Sequence, residues 1–135
     1  MEKTDLKRRT RQFALRAMKM ADALPKSRAG RVIGLQLVRA GTAVGANYRS
    51  ACRARSRAEF IARIGVVEEE ADESAYWMEL IVEGGLLKKQ LVDSLLQEAS
   101  ELVAIMAASR KSAAKHAGGK RASKGVRAQP GTTRA

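Results

Sequence analysis

Leu6, Phe13, Ala17, Met20 and Leu24 follow one another at steps of 7, 4, 3 and 4, which places them on one face of a helix over residues 3–23. Pro25 ends that helix, because a residue preceding proline is driven out of the α region. Ser27 is placed to cap a second helix running to about Ala54, with Ile33, Leu37, Ala40, Val44 and Ala51 as its core stripe. Ser56 and Glu59 have the S-x-x-E spacing of a capping box. After them Phe60, Ile64, Val67, Ala71, Ser74, Met78 and Ile81 alternate steps of four and three, the seam of a packed helix, until Gly84 and Gly85 stop it. The stretch LLKKQ makes a short connection. Asp93 or Ser94 can cap a fourth helix, whose stripe of Leu95, Ala99, Leu102 and Met106 fades near Ala113. Short links between long helices force antiparallel neighbours. The pattern therefore predicts an all-α, up-down-up-down four-helix bundle over residues 1–112. Residues 113–135 have no apolar period and much Gly, Ser and basic charge, so a disordered basic tail is expected there.

The second helix contains Gly30, Gly34, Gly41 and Gly45, each costing about 1 kcal/mol relative to alanine in a helix interior. On a wheel of ~100° per residue these glycines and Cys52 form a narrow stripe beside the core stripe. Arg28, Arg31, Arg39, Arg49 and Arg53 form a ridge on another face. Small residues at such spacing let two backbones approach closely. The seam is thus a helix-packing surface inside the protomer or a contact between subunits, and the wheel alone leaves both open.

The 135 residues carry a net charge of +12, and its distribution says more than its sum. Residues 1–66 carry +12, residues 67–109 carry −8, and residues 110–135 carry +8. A strongly basic chain suggests nucleic acid. The acidic run Glu68, Glu69, Glu70, Asp72 and Glu73 repels itself unless cations lie nearby, so part of the arginine ridge can be neutralised within the protein. Arg49 with Glu69, Glu70 and Glu73 is the expected structural ion pairing. Arg8, Arg9, Arg28, Arg31 and Arg39, with Lys120 and Arg121 of the tail, are the expected phosphate contacts.

Little else in the chain carries chemistry. The lone Cys52 and lone His116 cannot build an ordinary zinc site, and no cofactor is expected. Neither a Ser-His-Asp nor a Cys-His arrangement is available on the bundle, and no phosphate loop of the G-x-x-x-x-G-K-[ST] type occurs. Glu69, Glu70 and Glu73 lack the histidines that a di-metal carboxylate bundle requires. Trp77 can stack on a base or an arginine, or pack at an interface. No catalysis is expected. Neither a signal-type apolar run nor a membrane-length segment is present, so the expected location is the cytoplasm.

Three segments carry a resemblance: LPKSRAGRVIGLQLVRAGTAVGANYR, FIARIGVVEEEADESAYW and EASELVAIMAASRKSA. Together they resemble the bacterial four-helix-bundle family of 23S rRNA intervening-sequence (S23) proteins, from about Phe13 to Met106. One departure is that the family often has a glutamate soon after G-A-N-x-x, where this chain has Ser50 and Ala51. The resemblance implies a protomer assembled into a homopentameric barrel, and it weights the glycine seam toward a subunit contact. Relatives in retroelements are accessory proteins that bind a reverse transcriptase and nucleic acid, while most members have no established activity. The combined expectation is a non-catalytic oligomer that contacts RNA or RNA–DNA phosphates. The alternative is a protein-binding scaffold, for example one that docks a reverse transcriptase.

Overall fold

The structure, a computed structural model, describes the backbone of residues 2–128 and the side chains of residues 2–116. Four helices follow in order: α1 (Lys3–Asp22), α2 (Arg28–Cys52), α3 (Arg57–Glu83) and α4 (Lys89–Ala128). Sequential helices pack side by side and α4 closes back on α1, while the backbones of the diagonal pairs stay apart among the described residues. That is the square section of an up-down-up-down bundle.

Local signals set most of the boundaries. Ser27 Oγ accepts the Gly30 N–H at 3.1 Å and Ser56 Oγ accepts the Glu59 N–H at 3.0 Å, each satisfying an amide left over at a helix start. Glu59 completes its box one residue early, accepting the N–H of Arg55 at 3.2 Å rather than that of Ser56. At the far end of α3, Gly84 remains α-helical and Gly85 takes φ +70°. Leu86 N–H then reaches the Ile81 carbonyl at 2.9 Å and Gly85 N–H reaches that of Val82 at 3.1 Å. These are the two bonds of a Schellman stop, and the positive φ explains why a residue without Cβ stands at 85.

The start of the fourth helix departs from expectation. The helix begins at Lys89, so Asp93 lies inside it and accepts from Lys89 Nζ at 2.8 Å instead of capping. Its helical backbone continues through Ala128, past the fading of the apolar stripe near Ala113. Among the described side chains, the last that it buries is Met106.

The core is the set of stripes. Leu6, Phe13, Ala17 and Leu24 meet Leu37, Val44 and Ala51, then Ile64, Val67, Ala71, Met78 and Ile81, and finally Val92, Leu95, Ala99, Leu102 and Met106. Two buried hydroxyls are satisfied by their own helices: Thr10 donates to the Leu6 carbonyl and Ser74 to that of Glu70, each at 2.8 Å. Tyr48 is buried, and burial followed by the neighbouring Cys52 raises its hydroxyl above the usual tyrosine value. No helix of the described residues is long and apolar enough to cross a membrane.

Candidate nucleic-acid interface

The glycine stripe of α2 runs along α1. A Cβ at Gly41 would stand 2.7 Å from the Ala17 Cβ, and one at Gly30 would stand 2.0 Å from the Pro25 carbonyl oxygen. Real side chains do not approach so closely, so these two glycines are required by the contact of α2 with α1 and with the turn before it. At Gly34 the nearest atom would be the Leu24 Cδ1, and at Gly45 the Thr10 carbonyl, both at 3.4 Å, which is ordinary contact. Of the two neighbours that the wheel left open, the same chain lies against all four positions, α1 at Gly34, Gly41 and Gly45 and the α1–α2 turn at Gly30.

This close approach decides where the cations go. α2 contains no carboxylate, and its α3-facing edge meets the acidic run. There Arg39 donates through Nη1 to Glu70 Oε1 at 3.3 Å and through Nη2 to Glu73 Oε2. Trp77 Nε1 adds a bond to the same Glu73 oxygen at 3.1 Å. On the other side of the bundle Arg9 spans from α1 to α4. It donates through Nε and Nη2 to Glu98 at 2.6 and 3.0 Å and through Nη2 to Glu101 at 2.7 Å. Arg110 closes α4 onto α3 by donating to Glu68 at 2.8 Å. Glu73, Glu98 and Glu68 respectively do most to raise these three guanidinium groups above their ordinary pKa. Their charge is thus permanent and already opposed by carboxylates.

Several expected roles change accordingly. Arg9 and Arg39 were expected on phosphate and instead tie helices together, and Arg8 pairs with Asp5 at 3.1 Å. Arg49 was expected to pair with the acidic run. Glu70 and Glu73 go to Arg39 instead, Glu69 is exposed, and Arg49 lies toward α1. Arg28 and Arg31 are exposed at the opposite end of α2 and make no ion pair among the described residues. Lys120 and Arg121 fall outside the described side chains.

Between α1 and α2, at the end of the bundle where α1 begins and α2 finishes, lies a groove of about 400 Å³. Its walls carry Lys7 and Arg11 from α1 and Arg49 and Arg53 from α2, and its lining includes Thr10 and Gly45. Ala14, Thr42 and Ala46 complete it, so no carboxylate borders it. All four cations are exposed, and none makes a hydrogen bond or ion pair among the described residues. The same end of the bundle bears Arg55 of the α2–α3 link, Arg57 at the start of α3, and Lys111 and Lys115 of α4. Sequence reading placed Arg49 and Arg53 on the ridge of α2, but it did not bring them together with Lys7 and Arg11. The missing signal is the helix register, since antiparallel α1 and α2 bring Thr10 against Gly45 and therefore set Lys7 opposite Arg49.

Such an arrangement can hold a polyanion. Among the described residues no group of three His, Cys, Asp or Glu is placed to hold a metal ion. The family model of the 23S rRNA-intervening sequence protein matches residues 2–108. Among solved structures, this chain is similar to a protein of unknown function from the S23 ribosomal protein family of Bacteroides thetaiotaomicron VPI-5482. The two share 29% identity at a TM-score of 0.76, over 82% of this chain and 99% of that one. No curated protein matches.

Proposed function

The chain belongs to the 23S rRNA-intervening sequence protein family, and from that premise we propose that it is a non-catalytic, homo-oligomeric protein that binds RNA or DNA through the phosphates. One observation carries this reading. Lys7, Arg11, Arg49 and Arg53 of the α1–α2 groove make no ion pair among the described residues, whereas Arg9, Arg39 and Arg110 are already opposed. Uncompensated positive charge on one end attracts a polyanion without reading its bases. Binding by the full chain to a generic stem-loop, followed by fluorescence anisotropy, should weaken steeply with salt, because each phosphate contact releases counterions. Absence of binding at ~50 mM salt, where this attraction is strong, overturns the reading.

Assembly is the second element. Leu35 is 71% exposed, and Val32, Leu15 and Met18 are about half exposed, all on α1 and α2. This apolar surface supports a homo-oligomer, a pentamer by family resemblance. Light scattering at micromolar concentration tests it, and a clean monomer of 14.6 kDa sinks it. The same surface favours the alternative of a scaffold for another protein, such as a reverse transcriptase. Co-purification of a protein partner with a monomeric chain free of nucleic acid would choose that alternative.

A further inference from the structure

We propose that the α1–α2 groove is the seat of a nucleic-acid sugar–phosphate backbone, held between Lys7 and Arg11 on one wall and Arg49 and Arg53 on the other. This rests on the nucleic-acid reading above and narrows it from a basic surface to one place.

Spacing is the first argument. Lys7 and Arg11, like Arg49 and Arg53, are four residues apart on a helix, so each pair rises about one turn, ~6 Å. That is comparable with the separation of neighbouring phosphates along a strand. Two antiparallel helices therefore offer two rows of cations to one backbone running along the groove.

Charge is the second. No carboxylate borders the groove, and Asp5 is engaged with Arg8. Cations gathered from two helices across a narrow recess repel one another and weaken the empty protein. A bound anion removes that repulsion, so ligand and fold reinforce each other.

The floor is the third. Gly45 and Ala46 from α2 and Ala14 from α1 let a chain approach the helix surfaces closely. No aromatic ring is present on which a base could stack. The groove thus suits the backbone that all sequences share, and binding there is sequence-tolerant.

Paired charge removal at the two ends of the bundle tests this. The variant Lys7→Gln with Arg49→Gln is compared with Lys26→Gln with Lys88→Gln, against a single-stranded oligonucleotide and against a duplex of the same sequence. The groove variant should lose at least tenfold affinity at ~50 mM salt for the probes that native protein binds, and its salt slope for the single strand should fall by about 1.4. The far-end variant should stay within twofold. Melting of the groove variant without nucleic acid should be unchanged or higher, since repulsion is relieved. Loss confined to the single strand, or shared with the duplex, says which form presents the backbone, and either supports the groove. Equal losses from both variants indicate diffuse attraction and overturn the groove while leaving the nucleic-acid reading intact. A lowered melting temperature for the groove variant makes the cations structural and likewise overturns it. If native protein binds neither probe at ~50 mM salt, the nucleic-acid reading itself fails.

Discussion

The two flanks of α2 solve opposite problems. Toward α3 the helix carries Arg39, and the gap is bridged by its bonds to Glu70 and Glu73. Toward α1 it carries glycine, the backbones close until Gly41 touches Ala17, and the cations at the rim have no carboxylate opposite. One flank carries a charge that α3 neutralises. The other is held by close steric fit and leaves its charge free. The difference teaches that a guanidinium's role follows from the helix it faces. Nearly all the carboxylates of this chain lie on α3 and α4, so any cation between α1 and α2 is left for something outside the protomer.

The largest expected effect breaks the steric flank. Gly30→Ala places a methyl within 2.0 Å of the Pro25 carbonyl oxygen, a backbone atom that cannot yield without moving the α1–α2 turn. We expect a loss of about 3 kcal/mol in urea unfolding, at the upper end for overpacking. Gly41→Ala should cost about 1–2 kcal/mol, as the Ala17 clash outweighs the gain in helix propensity. Unchanged stability in both variants would remove the close-fit account of this flank.

Electrostatic bridges come next. Arg9→Met strands Glu98, which is only 17% exposed, and should cost about 1–2 kcal/mol. Arg39 is half exposed, so solvent screening holds the effect of Arg39→Met to about 1 kcal/mol or less, shrinking further in high salt. An Arg39→Met loss larger than that of Arg9→Met would invert the ranking by burial.

Smaller effects sharpen the contrast within the glycine stripe. Gly45→Ala meets only ordinary contact at 3.4 Å and should stabilise by up to about 1 kcal/mol. Destabilisation there would mean that the seam is tight along its whole length. The weakest effect is with pH. Gln97 and then Arg9 hold the Glu101 carboxyl below the usual glutamate value. Its contribution is therefore present above that usual value and is lost as pH falls through the lowered one. Acid melting of Glu101→Gln should show a slightly smaller stability loss than the native chain in that window.

Local chemistry made most of the fold legible in the sequence. Ser27, Ser56 and the Gly84–Gly85 stop act within one turn, and all seven α3 seam residues join the core, Phe60 only partly buried. Signals of this kind need no partner, so spacing alone reveals them. The cap expected at Asp93 failed because nothing obliges a helix to start at its best available cap, and Lys89 could begin one a turn earlier.

What the sequence by itself determined was four helices, their core faces and a charge divided into basic, acidic and basic blocks. Only the tertiary structure decided which cation meets which acid. On a helical wheel Arg39 and Arg49 share one ridge within ~80°. That arc nevertheless spans the distance from the α3 edge of α2 to its α1 edge, and one arginine ends on Glu70 and Glu73 while the other lines an acid-free groove. A wheel gives direction from one axis, and ion pairing depends on where the next axis lies. Here the next axis is that of α3 for Arg39 and that of α1 for Arg49.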